Sequence, residues 1–142
     1  MALTCEEMDR KIDEHFAFEA ADNVEGVLAT LSPEAEHDIV GWPTGPTHGR
    51  ASARPFYEAL FADLSDGKVE CLKRLYGEDF LVDESLWRGK AAGKPFGLDG
   101  KGRPLEFRLL HVVEFTGEGE IGRENVWVDL ASIIRQLPPQ DD

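Results

Sequence analysis

The chain has 142 residues, of which 28 are acidic and 15 basic, for a formal net charge of −13 at neutral pH. That length suits one domain with one core, and 42% hydrophobic residues with eight Phe, three Trp and two Tyr suffice to build it, which excludes a disordered chain. The acidic balance excludes nucleic acid and anionic membranes as partners, since both need clustered Lys and Arg. Residues 1–40 hold 11 acids against two bases, so nine of the negative charges belong to the first helical region.

Thr4-Cys5-Glu6-Glu7 reads as a capping box, and Met8, Ile12, Phe16 and Ala20 recur at i+4, predicting a first helix to about Ala21. Asp22 or Asn23 caps a second short helix, Val24 to Leu31, which Ser32-Pro33 stops. Residues 35–42 read as a strand ending at Trp42, and Pro43 to Gly49 as a loop. A third helix is expected from Arg50 to Leu64, closed by Ser65-Asp66-Gly67. Four β-segments follow at 68–76, 79–91, 104–116 and 120–129, with turns at Asp99-Gly100 and Thr116 to Gly119. A last helix, Leu130 to Leu137, precedes Pro138-Pro139 and an acidic tail, 138–142, expected to be disordered. Helices first and an antiparallel meander after them make an α+β domain spanning 1–142, with the helices covering one face of a curved sheet. The conical space between them is either filled or kept as a pocket.

Strand alternation marks polar groups on apolar faces. Along 104–116, Leu105, Phe107, Leu109, His111, Val113 and Phe115 form the inner face, with His111 its single polar member. Along 79–91, Glu84 shares a face with Phe80, Val82 and Leu86; in the last strand Arg123, Asn125, Trp127 and Asp129 share one, opposite Val126 and Val128. If these faces converge, an imidazole, carboxylates, an amide and an indole meet within apolar walls, a setting that tunes proton-transfer groups. Asp129 has two readings that are compatible, helix N-cap and acid/base; His111 is either a core histidine or a catalyst; Glu84 depends on register. Trp42, Tyr57, Phe61 and Phe16 supply aromatic surface for a core or a flat ligand. His15 and His48 have no metal-ligand partner at useful spacing. Two cysteines, Cys5 and Cys71, form no CxxC pair, and the N-terminus lacks a signal-peptide apolar run, so a cytoplasmic protein is expected. P-loop, G-x-S-x-G, H-E-x-x-H and Rossmann motifs do not occur.

The segment Gly45-Pro46-Thr47-His48-Gly49-Arg50, followed by Phe56-Tyr57 and Leu60-Phe61, resembles the SnoaL-like group of the nuclear transport factor 2-like superfamily. So do Ile121 to Asp129 with the helix end Ile133-Ile134-Arg135-Gln136-Leu137, and the hairpin region Trp87-Arg88-Gly89 to Gly97. The resemblance implies an α+β cone, usually a homodimer through the outer sheet face, and a hydrophobic small-molecule ligand. It implies polyketide-cyclase chemistry, an intramolecular aldol closure without cofactor or metal. An acidic residue near the end of the last strand serves there as general acid/base; Asp129 falls at that place, with His111 as pocket neighbour. Limonene epoxide hydrolase-like relatives use Asp-Arg-Asp instead, for which Asp129 with Arg123 or Arg108 and Glu84 are the available residues. Ketosteroid isomerase-like chemistry needs a Tyr-Asp oxyanion hole, and Tyr57 and Tyr76 show no such pattern. A non-catalytic ligand-binding or dimerisation module is the remaining alternative. For a dimer, Leu110 and Val112 among Glu106, Arg108 and Glu114 are the expected interface.

Overall fold

The computed structural model describes residues 2–42 and 45–140. Pro43 and Thr44 of the expected loop, and the last two residues of the expected tail, lie outside them. Helix α1 (Cys5–Ala20) starts on the capping box read from the sequence, with Glu7 N–H donating to Thr4 Oγ1 at 3.1 Å, a contact worth about 1 kcal/mol. Its stripe buries Met8, Ile12 and also His15. Helix α2 (Val24–Ala29) is capped by Asn23 and ends sooner than expected, because strand β1 (Leu31–Val40) already begins at Leu31 and runs through Pro33. A short strand β2 (Thr47–His48) and a 3-10 turn (Arg50–Ala53) lead into α3 (Arg54–Asp63), where the expected single helix is divided ahead of Pro55. Arg50 holds this turn to the sheet by donating through Nε and Nη2 to the Leu31 carbonyl, at 3.0 and 2.7 Å.

Strands β3 (Leu64–Gly77), β4 (Phe80–Ala91), β5 (Arg103–Phe115) and β6 (Ile121–Val128) complete a six-stranded sheet of order β2-β1-β6-β5-β4-β3. All neighbours are antiparallel except β1 and β6. Residues 65–67, expected to close a helix, instead form an irregularity inside β3, with Asp66 at a φ of 53°. Gly67 permits that path against the sheet, since a Cβ there would stand 2.6 Å from Trp87 Nε1. Helix α4 (Leu130–Gln136) closes the chain, and the Pro138 carbonyl accepts a hydrogen bond from Arg103 at 2.9 Å, so the tail is tied down at its first residue.

Two apolar clusters hold the layers together. Met8, Ile12, Val27, Leu28 and Leu31 pack with Leu81, Val113 and Ile121 under α1 and α2, while Ile133 and Leu137 of α4 pack with Leu105 and Phe107. Each such side chain, fully buried, contributes about 1.5–3 kcal/mol of transfer free energy. Helices over one face of a curved sheet make the α+β cone expected from the sequence, and between the two clusters the cone is hollow. Among the described residues no helix is long and apolar enough to cross a membrane.

Candidate active site

The hollow is a cavity of about 310 Å³ between α1, α3 and the concave face of the sheet. Phe16, Trp42, Tyr57 and Phe61, expected at a ligand wall, line it, joined by Phe56, Trp87, Phe96 and Phe107. These rings brace one another: Trp42 lies edge-on to Phe56 at 5.0 Å and to Phe96 at 5.1 Å, and Trp87 stacks on Phe107 at 5.3 Å. Such pairs add about 0.5–1.5 kcal/mol beyond burial and hold the walls apart.

His111 lines the cavity, with Phe16 4.8 Å away between ring centroids. Its Nδ1 lies 3.1 Å from Asp83 Oδ1, directly across the β4–β5 ladder. Asp83 is fully buried; burial alone would raise its pKa, but hydrogen bonds from His111, Ser85 and Arg74 hold it well below the usual carboxylate range. An ionised carboxylate only accepts, so His111 Nδ1 carries a proton and donates it, which leaves Nε2 for the cavity. Behind Asp83, Arg74 donates through Nε to Oδ2 at 2.7 Å and ties β3 to α1 through Asp9 at 3.0 Å and Asp13 at 2.6 Å.

A second cluster fills the inner end. His15 Nε2 lies 2.7 Å from Glu19 Oε1 and 2.9 Å from Glu124 Oε2. Tyr57 Oη donates to Glu124 Oε2 at 3.1 Å and lies 3.2 Å from His37 Nε2. On its other edge, His15 Nδ1 is 2.6 Å from Thr30 Oγ1, and that hydroxyl donates to the Val27 carbonyl. Thr30 therefore accepts from Nδ1–H, and the imidazole turns Nε2 toward the two carboxylates. Burial would lower the His15 pKa, but the charges of Glu124 and Glu19 override it and raise it to about 10. Glu124 is pushed the other way: His15 and its neighbours hold it ionised against the cost of burial. Burial lowers the His37 pKa, so that ring is neutral, and raises Tyr57 well above the ordinary phenol value. The donor atoms of His15, Glu19 and Glu124 lie within 4.8 Å of one another, a spacing at which a divalent cation can be held; here the imidazolium supplies the positive charge.

Strand register corrects several expectations. Glu84 pairs with Leu110 on the convex face, and the carboxylate of β4 that faces inward is its neighbour Asp83. In β6 the inward residues are Glu124, Val126 and Val128, not the face carrying Arg123, Asn125, Trp127 and Asp129. Asn125 is buried beside Arg123 and Glu36 on the far side, and Trp127 is 39% exposed there. Asp129 does not line the cavity; it caps α4, accepting from Ser132 N–H at 3.1 Å. Arg123 pairs with Glu36 at 3.2 Å and Glu114 at 3.1 Å on the same outer side, and exposed Arg108 faces outward beside Leu86, so the Asp-Arg-Asp set does not meet in the cavity. His15, expected to have no metal-ligand partner at useful spacing, has Glu19 one turn on and Glu124 across the cone. The i,i+4 spacing of His15 and Glu19 was a signal available in the sequence; the approach of Glu124 and His37 was not.

A family model for the SnoaL-like polyketide cyclases matches residues 9–137. The chain belongs to that family. A protein from Jannaschia sp. CCS1 classed as a SnoaL-like polyketide cyclase superposes with a TM-score of 0.82 at 14% identity, covering 98% of this chain and 99% of that one. TsrD from Streptomyces laurentii gives 0.81 at 17% identity, over 95% and 97% of the two chains. An NTF2-like protein of unknown function from Burkholderia pseudomallei K96243 gives 0.78 at 18%, over 96% and 100%. At these identities the likeness establishes the NTF2-like fold and no more. No curated protein matches the sequence significantly.

Proposed function

We propose that this SnoaL-like chain is a cofactor-independent enzyme that moves protons on a hydrophobic carbonyl compound of the polyketide type, closing a ring by aldol addition or isomerising the substrate. The observation that carries the reading is the His111–Asp83 pair at the wall of an aromatic cavity. His111 Nε2 takes a proton from the carbon next to the carbonyl; Asp83, ionised and held by Arg74 and Ser85, stabilises the imidazolium that forms. The enolate oxygen needs a donor, and Tyr57 stands in the same cavity. Its proton rests on Glu124, but the His15 imidazolium also holds Glu124. Tyr57 can therefore turn its O–H to the substrate without leaving a bare buried carboxylate. In this reading Asp129 is a helix cap rather than the acid/base.

The test is proton exchange as well as product. Wild type and His111→Gln are incubated with polyketide-like ketones in deuterium oxide and, in parallel, in oxygen-18 water, and analysed by mass spectrometry. Deuterium at the α-carbon, or a cyclised or isomerised product, is expected from wild type alone. Equal exchange by both proteins refutes the role of His111, and solvent oxygen-18 in the product would point to hydrolysis by activated water.

A further inference from the structure

The charge of the cavity is one-sided. Glu19, Asp22, Asp66 and Glu124 line it, and among the described residues no Lys or Arg does. At the inner end one imidazolium, His15, faces two carboxylates, Glu19 and Glu124, and Glu19 Oε1 is buried without a well-directed hydrogen bond. At the mouth Asp22 and Asp66 are exposed. Asp66 meets Lys90 at 3.8 Å with both side chains largely in solvent, a pairing that neutralises little. Helix α1 also ends here: Ala20, its last residue, lines the cavity, and its last turn carries no basic side chain. The partial negative charge of a helix C-terminus, equivalent to about half a unit, is thus left at the mouth without a cation of its own.

The walls add to the same preference. Trp42, Phe56, Trp87, Phe96 and Phe107 line the cavity with aromatic rings. A ring face attracts a cation within about 6 Å of its centroid, most strongly where water is excluded. An anionic ligand would meet these carboxylates, and among the described residues no Lys or Arg lines the cavity to receive it.

From this geometry we infer that the cavity binds a hydrophobic organic cation: a flat ring body that carries a protonated amine or a quaternary ammonium group. The ring body fills the aromatic walls, and the cationic group faces Asp22, Asp66 and the α1 terminus at the mouth. The inference rests on the reading that the substrate occupies this cavity, and it adds a cationic nitrogen group to the carbonyl compound proposed above.

The experiment compares three probes of one shape by titration calorimetry: 1-naphthylmethylammonium, 1-naphthylmethanol and 1-naphthoate, at neutral pH and about 50 mM salt, where charges are weakly screened. The ammonium probe is expected to bind about tenfold more tightly than the alcohol, or about 1.4 kcal/mol, and the carboxylate more weakly than either. In the double variant Asp22→Asn, Asp66→Asn the ammonium advantage should shrink at least about threefold while alcohol affinity stays level, since both sites are exposed and Asn keeps their backbone conformations. Raising salt should narrow the same gap. Equal or tighter binding of the alcohol, tightest binding of the carboxylate, or no binding by any of the three overturns the inference. Turnover plays no part in this readout. Ammonium preference in a protein that makes no product sustains the inference against the proposed chemistry, and turnover of neutral ketones without that preference does the reverse.

Discussion

Replacing His15 with Gln takes one positive charge from between Glu19 and Glu124 and leaves two carboxylates facing each other at the inner end of the cone. Removing one partner of a buried ion pair costs about 3–5 kcal/mol. The wild-type protein should show the same interaction through pH. His15 has an ordinary pKa of 6.5 and is raised to about 10 in the fold, where Glu124 and Glu19 overcome the effect of burial. Between those values the folded chain keeps a proton that the unfolded chain releases. The stabilisation is therefore complete below 6.5 and is lost as pH rises through about 10. From the two values, the loss between about pH 7.5 and 9.5 is about 2–3 kcal/mol. In that window an unfolded His37 is already largely uncharged, so its own opposite shift adds little. Urea unfolding reads the difference directly: with a slope of about 1–2 kcal/mol/M, the wild-type midpoint should fall by roughly 1–2 M across the window. His15→Gln should start lower and show no such fall. A flat wild-type midpoint, or an equal fall in the variant, would refute the assignment of a charged His15.

Three further outcomes follow from the geometry. His111→Gln should fold normally and lose turnover by about 10²–10⁴, the scale of a missing general acid/base, read from initial rates once a substrate is in hand. Asp129→Ala should lower stability by about 1 kcal/mol through loss of the α4 cap, while its turnover stays within a few-fold of wild type; a loss as large as that of His111→Gln would return Asp129 to the chemistry. The homodimer expected from the sequence would cover Val40, Trp127 and Leu110, which form one row across the convex face and are each more than a third exposed. Trp127→Glu should then sediment as a monomer at micromolar concentration where wild type sediments as a dimer, and a monomeric wild type rules that interface out.

The inner face of β5 was readable in advance because Leu105, Phe107, Leu109, Val113 and Phe115 alternate with charged and other residues, and only one parity buries them. That is how His111 was placed. The same rule does not decide β4, where the convex side carries Phe80, Val82 and Leu86 with Glu84, and the concave side carries Leu81 and Trp87 with Asp83 and Ser85. With apolar residues on both faces, alternation by itself does not say which side the helices cover. In β6, Val126 and Val128 share the inward face with Glu124, so there the apolar parity in the sequence is the buried one.

The sequence by itself determined the α+β class, the α1 cap, the strand segments and the aromatic stock of the cavity. All of these follow from local periodicity and from residue types whose burial has one outcome. Only the tertiary structure decided which carboxylates are internal. Asp83 meets His111 through a ladder register 28 residues apart in sequence, and Glu124 meets His15 and Tyr57 because the last strand crosses beneath two helices from the first half of the chain. Those contacts depend on sheet curvature and helix placement, which the summed packing of the whole core sets and which no single segment encodes.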